Sequence, residues 1–203
     1  MVTQTNTALI MAGGTGGHVF PALAVAIAMR ERGMHVQWLG SRKGMEANLV
    51  TAEGFEFNSI EITGLRGKGI VKWLFAPLSL FMATMHAMKI VARIKPDVVL
   101  GMGGFVTGPG GLASRLLARP LVVHEQNAIP GMTNVLLSKL ARRILEAFPN
   151  TFKSANKVFH TGNPVRKAIN LLDVPETRYG AREGRLCVLI VGGSLGAQAL
   201  NEI

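Results

Sequence analysis

A single cysteine, Cys187, stands in a chain of 203 residues. Without a second thiol, neither an internal disulfide framework nor a thiolate metal cage can form, and a reducing compartment such as the cytoplasm is the expected setting. Aspartate is almost as scarce, with Asp97 and Asp173 far apart in sequence. No Asp-x-Asp pair exists to hold a divalent cation on a sugar nucleotide, so a diphosphate handled here would be stabilised by backbone amides and basic side chains rather than by a metal. Acidic residues number 12 against 22 lysines and arginines, giving a net charge of +10. That balance favours an anionic partner: a nucleotide, a nucleic acid or an acidic membrane surface. Long apolar runs are missing too. The stretch between Lys72 and Lys89 carries no charge, yet it is shorter than the ~20 residues a membrane span requires and contains Pro77, Ser79, Thr84 and His86. The N-terminal MVTQTNTALIMAGG has no basic n-region and no long apolar h-region, so no signal peptide is expected.

Glycine, by contrast, is clustered where strands should hand over to helices: GGTGGHVFPA (Gly13 to Ala22), GMGGFVTGPGG (Gly101 to Gly111) and GGSLGA (Gly192 to Ala197). Such junctions bind phosphate, because glycine lets backbone N–H groups approach an anion and the following helix aims its unpaired N–H groups and positive dipole end at the same spot. Alternating patterns place strands at Thr7 to Met11, His35 to Leu39, Phe57 to Ile62, Asp97 to Leu100, Leu121 to His124, Ile144 to Phe148 and Val158 to His160. Helices fall between them at Phe20 to Arg32, Met45 to Glu53, Gly110 to Ala118 and Met132 to Ala141. This is an α/β chain of the doubly wound parallel kind, whose ligands sit beyond the carboxyl ends of the strands. After GNPVR (Gly162 to Arg166) a further strand, Leu186 to Val191, runs into the third glycine loop, so a second Rossmann-like unit begins near the end of the sequence.

The common nucleotide fingerprints do not fit. Gly14-Thr15-Gly16 is followed by Val19 where a dinucleotide site needs its third glycine, and the second strand ends in Gly40, Ser41, Arg42 and Lys43 with no acid for a ribose. NAD is therefore disfavoured, while Arg42 or Lys43 could meet the 2′-phosphate of NADP. No G-x-x-x-x-G-K-[ST] phosphate loop occurs. Between the first and second glycine clusters, Val71, Leu74, Phe75, Leu78, Phe81, Met82, Met85 and Met88 recur at helical spacing. From Leu78 onward this stripe reads as the core face of a helix. Its start differs: Ile70, Trp73, Leu74 and Phe75, flanked by Arg66, Lys68 and Lys72, form an interfacial membrane patch. The ten methionines read as gap-filling core residues, and His35, His86 and His160 as ordinary, partly buried histidines.

Six motifs in fixed order carry a more specific likeness: GGTGGHVFPA, TGLRGKG (Thr63 to Gly69), PDVVLGMGGFVTGPGG, HEQNAIPG (His124 to Gly131), GNPVR and VGGSLGA. Together they cover essentially the whole chain, which resembles the MurG family of bacterial N-acetylglucosaminyltransferases. The resemblance implies a GT-B-type fold of two Rossmann-like lobes, residues 1–162 forming the N-terminal acceptor and membrane lobe and 163–203 a linker with the first strand, loop and helix of a donor lobe that is otherwise missing. It implies an inverting, metal-independent hexosyl transfer without a cofactor. N-acetylglucosamine would pass from UDP-N-acetylglucosamine to the muramyl 4-hydroxyl of lipid I, making lipid II for peptidoglycan synthesis. The enzyme would work at the anionic cytoplasmic face of the inner membrane as a peripheral protein, with no nucleic acid involved. These 203 residues alone would be inactive.

Carried over by motif, Thr15, Gly16, Gly17, Asn127, Arg166 and Ser194 would contact the donor. Gly13, Gly14, Gly103, Gly104, Phe105, Thr107 and His124 would face the acceptor. His18 follows the glycines at a helix start, where the dipole disfavours an imidazolium and leaves a neutral ring able to accept a proton, so it is the first candidate for the base. Glu125 is the second candidate. For His124 and Glu125 the alternative is a structural hydrogen bond or ion pair shaping the loop after the fifth strand. Two other functions stay open at the level of residues: a non-catalytic module binding a lipid diphosphate or a membrane, and an NADP-dependent oxidoreductase.

Overall fold

The structure, a computed structural model, describes residues 5–62, 76–153, 155–180, 182–185 and 188–190. It divides into two compact units, Met1–Val165 and Arg166–Ile203.

The first unit is built on a sheet of seven parallel strands: β1 (Thr7–Met11), β2 (His35–Ser41), β3 (Glu56–Ile60), β4 (Val98–Gly101), β5 (Leu121–Glu125), β6 (Arg143–Glu146) and β7 (Val158–His160). Their spatial order is β3-β2-β1-β4-β5-β6-β7. The order reverses between β1 and β4, and sheets of this kind bind their ligands beyond the carboxyl ends of the strands at that point. Parallel strands are covered on both faces and therefore need apolar residues at consecutive positions. β1 shows this directly, since Ala8 and Ile10 enter one apolar layer and Leu9 and Met11 the other.

One layer packs beneath α1 (Gly16–Glu31) and α2 (Met45–Ala52). The opposite layer packs beneath α3 (Ala76–Ile94), α4 (Thr107–Leu116) and α5 (Met132–Ser138). Helix α1 starts at Gly16, four residues before the Phe20 expected from the alanine-rich pattern. Thr15 takes the extended N-cap conformation (φ −126°, ψ 157°) and the chain turns helical at once. The helix ends where Gly33 adopts φ +80°, as a C′ glycine does. Strand β2 runs two residues beyond Leu39, and β3 stops at Ile60 rather than Ile62.

Of the apolar stripe from Leu78 onward, Met88 packs against the core and Leu78, Phe81, Met82 and Met85 do not. Helix α3 buries Ala83, Thr84, Ala87, Ile90 and Val91, whereas Leu78, Phe81 and Met82 are 59%, 59% and 61% exposed and Met85 is 37% exposed. The small residues bring α3 close to its neighbours, and the large ones lie on its outer face. The patch Ile70, Trp73, Leu74 and Phe75, with Arg66, Lys68 and Lys72, lies outside the described residues.

The second unit contributes α6 (Lys167–Asn170) and α7 (Pro175–Tyr179), neither of which buries a residue. The strand expected over Leu186 to Val191 is not formed at Val188, Leu189 and Ile190, which are 73%, 87% and 69% exposed. Its remaining positions, and the third glycine loop with Ser194, lie outside the described residues.

Candidate active site

The first two glycine loops lie side by side at the switch point. The Gly13 amide donates to the Gly103 carbonyl at 3.4 Å. Two positions admit only glycine. Gly104 sits at φ +87°, and a Cβ there would overlap the Gly13 carbonyl; Gly103 sits at φ +108°, and a Cβ would stand 2.7 Å from His18 Nδ1. The ring of Phe105, 42% exposed, lies over Gly14. Gly16 and Gly17 occupy the first two helical positions of α1, where N–H groups have no intrahelical acceptor, and the Thr15 side chain makes no cap bond. The chain thus presents amides and a hydroxyl at the positive end of a 16-residue helix, a ready anion site.

Beneath the first loop lies a residue that the sequence did not single out. Glu46, in the first turn of α2, is fully buried. Its Oε1 accepts from the Ser41 amide at 2.9 Å and the Ser41 hydroxyl at 2.7 Å, and its Oε2 accepts from the Gly14 amide at 3.4 Å. This carboxylate ties the end of β2 to the first glycine loop. Nothing local marks it, since an acid in a helix's first turn is common for dipole reasons alone.

The loop after β5 forms the third wall. Glu125, also fully buried, accepts from the Asn127 amide (3.0 Å), Asn127 Nδ2 (3.0 Å), the Gly131 amide (3.0 Å) and Asn134 Nδ2 (2.9 Å). Both its oxygens are committed to shaping the loop, which is the structural alternative and speaks against a base role. Asn127 is exposed at the same loop, held through its amide groups.

His124 is 3% exposed. Its Nε2 donates to the Gly162 carbonyl at 3.1 Å and its Nδ1 meets Gln126 Nε2 at 3.0 Å. Burial pushes its pKa below the ordinary 6.5, partly offset by the Gly162 carbonyl and the nearby Glu125 carboxylate. With both nitrogens engaged inside the protein, His124 does not face an acceptor. Thr107 departs in the same way: it is fully buried, and its hydroxyl donates to the Gly103 carbonyl at 2.7 Å. It braces the second loop instead of facing an acceptor.

The structure therefore brings Gly13, Gly14, Gly103, Gly104, Phe105 and His18 together where the two loops meet, with Thr15, Gly16 and Gly17 at the start of α1 and Asn127 in the β5 loop next to Gln126, the partner of His18. Half-buried His18, at the third position of α1, reaches Gln126 Oε1 through Nδ1 at 2.9 Å, and its Nε2 has no hydrogen-bond partner among the described residues. Arg166 is the N-cap of α6 in the second unit. His35, His86 and His160 are exposed rather than partly buried, and Met82, Met85 and Met132 are surface residues rather than core filler.

Paired glycine loops at the switch point of a parallel sheet, a free helix N-terminus and an imidazole beside it define the N-terminal lobe of a GT-B-type glycosyltransferase. The chain belongs to glycosyltransferase family 28, whose N-terminal domain matches residues 8–146. It is 54% identical over 200 residues to the UDP-N-acetylglucosamine–N-acetylmuramyl-(pentapeptide) pyrophosphoryl-undecaprenol N-acetylglucosamine transferase of Acidovorax sp. (strain JS42), covering 98% of this chain and 49% of that protein. To the transferase of the same name from Nitrosococcus oceani it is 55% identical over 194 residues, 96% of this chain and 54% of the relative. The crystal structure of Acinetobacter baumannii MurG superposes with a TM-score of 0.79 at 46% identity, over 97% of this chain and 55% of that one. The chain spans about half the length of the curated relatives it matches.

Proposed function

We propose that this chain forms the acceptor side of a UDP-N-acetylglucosamine-dependent transferase that glycosylates undecaprenyl-diphosphate-linked N-acetylmuramyl-pentapeptide in peptidoglycan synthesis. The observation that carries this reading is the His18 ring beside the seam of the two glycine loops, with Nδ1 held by Gln126 and Nε2 without a hydrogen-bond partner among the described residues. In the proposed step the muramyl 4-hydroxyl attacks C1 of N-acetylglucosamine from the face opposite the UDP leaving group. The C1–O bond to UDP breaks as the new glycosidic bond forms, so the anomeric centre inverts, and His18 Nε2 takes the hydroxyl proton. The negative charge that develops on the departing diphosphate is met by preorganised N–H groups and basic side chains. Thr15, Gly16, Gly17, Asn127, Arg166 and Ser194 are assigned to the donor, and Gly13, Gly14, Gly103, Gly104 and Phe105 to the acceptor and its diphosphate.

The lipid acceptor sets the location. Its polyprenyl chain stays in the bilayer while the sugar is modified, so the acceptor crevice works against the anionic cytoplasmic surface. No helix among the described residues is long and apolar enough to cross a membrane, which fits a peripheral attachment. The exposed apolar face of α3, together with the net charge of +10, supplies insertion and electrostatic attraction.

The test is kinetic. In the complete natural protein that carries these residues, His18→Ala should lower kcat by about 10²–10⁴-fold, the range a positioned general base supplies, while donor binding changes little. Equal losses in both quantities would reduce His18 to a binding residue.

A further inference from the structure

Three side chains from α1, β5 and the loop after it form one hydrogen-bonded row, and the row has a determinate proton arrangement. It starts at the Gly162 carbonyl, which can only accept. His124 Nε2, 3.1 Å away, must therefore carry a proton. The ring is buried and neutral, so its other nitrogen, Nδ1, is bare and can only accept. Gln126 Nε2 lies 3.0 Å from that Nδ1 and donates to it. The same Nε2 lies 3.2 Å from the His124 carbonyl, a second group that cannot donate. Two acceptors thus fix the amide orientation independently of one another. A flipped amide would set its oxygen against the His124 carbonyl and the bare Nδ1. With the nitrogen pinned on one side, Gln126 Oε1 faces His18 Nδ1 at 2.9 Å and must accept from it. All four separations lie in the ordinary hydrogen-bond range.

We propose that Gln126 is a positioning residue that, through its contact with His124, locks His18 in the Nδ1–H tautomer and leaves Nε2 bare to receive a proton. The inference rests on reading His18 as the base, and it explains what a base at this position requires. An unconstrained imidazole exchanges its proton between both nitrogens, so part of the population would present an N–H, useless as an acceptor, to the substrate hydroxyl. Gln126 is 6% exposed and both ends of its amide are committed to the two imidazoles, so it acts through His18 and not on substrate. The same logic assigns His124 to supporting Gln126, which accounts for its burial.

The proton positions can be read in this chain without turnover. Two-bond 15N–1H correlation spectra of 15N-histidine-labelled protein at neutral pH distinguish a protonated ring nitrogen from a bare one. The expected result is Nδ1–H on His18 and Nε2–H on His124. Gln126→Met, which keeps the volume and removes both hydrogen bonds, should shift His18 toward the Nε2–H form. Gln126→Glu should keep His18 protonated on Nδ1, because one carboxylate oxygen still accepts there, while the other, now set against the His124 carbonyl and bare Nδ1, draws a proton onto His124 Nδ1. Wild-type His18 carrying its proton on Nε2, or an unchanged tautomer in Gln126→Met, would overturn the proposal, and the wild-type measurement stands even if a variant fails to fold.

Activity of the complete natural protein supplies the second readout. Gln126→Met should lower kcat by about tenfold or more, as outer-shell substitutions do, with donor KM within about twofold. If the tautomers behave as expected but neither Gln126→Met nor His18→Ala slows transfer, the base assignment fails and the relay stands. If His18→Ala is crippling and the tautomers do not respond, the relay fails and the base stands.

Discussion

At the scale of single residues, the site shows how burial sorts chemically similar groups into different roles. His18 and His124 are both imidazoles near the glycine loops, yet among the described residues His124 has both nitrogens engaged by protein groups and His18 only one. Glu46 and Glu125 are both fully buried carboxylates, and each gathers backbone amides from a loop that the site needs in a fixed shape. The buried His124 also has a thermodynamic consequence. Its pKa is lowered in the fold, chiefly by desolvation, so between that lowered value and 6.5 the unfolded chain binds more protons than the native one. Stability therefore rises with pH through this window. It is fully present above about 6.5, the unperturbed value for histidine, and is lost as pH falls through the native pKa. Urea unfolding at pH 7.5 and pH 5.5 should show a larger loss on acidification for the wild type than for His124→Gln, which lacks the titrating ring. Equal losses would show that His124 contributes nothing to the acid sensitivity.

At the scale of elements, α3 is the clearest case of a pattern that periodicity alone could not orient. Its sequence offers two stripes at helical spacing: a large one (Leu78, Phe81, Met82, Met85) and a small one (Ala83, Ala87, with Ile90 and Val91). Hydrophobicity points the large stripe inward. Packing chooses the small one: Ala83 and Ala87, with Ile90 and Val91, join the apolar layer that contains Leu9, Val99 and Val106, and the alanines let α3 approach α4 and β3 closely. The consequence is measurable. Ala87→Phe should destabilise the protein by about 1–3 kcal/mol through overpacking, whereas Phe81→Ser should leave unfolding within about 0.5 kcal/mol of the wild type. The reverse ranking in urea titrations would restore the core-facing orientation.

At the scale of the whole molecule, a net charge of +10 and an exposed apolar helix face combine. Each basic residue near an anionic surface contributes roughly 1 kcal/mol, and the attraction is screened by salt. The protein should sediment with vesicles rich in anionic lipid at low salt and be released in large part at high salt. Trp73→Ser with Phe75→Ser should weaken this binding, and adding Phe81→Ser with Met82→Ser should weaken it further. Undiminished binding by the fourfold variant would remove both segments from the membrane-facing surface.

The parallel sheet, the two glycine loops at its carboxyl edge and the family were legible in the chain itself. Their signals are local: apolar runs such as Thr7 to Met11, glycines where backbones must meet, and motifs such as GGTGGHVFPA and HEQNAIPG. Local signals also placed His18 at a helix start next to an anion site. What they could not supply was the environment of each side chain, which depends on partners far away in sequence. Gln126 reaches His18 across 108 residues and Asn163 reaches the Gln126 carbonyl across 37, and no periodicity or spacing encodes such meetings. The residue types at the site were thus fixed by the sequence, but only the tertiary structure decided which imidazole is engaged on both sides, which carboxylates hold loops and which face of α3 meets water. Hydrogen-bond satisfaction and close packing operate on the assembled neighbourhood, not on the local chain.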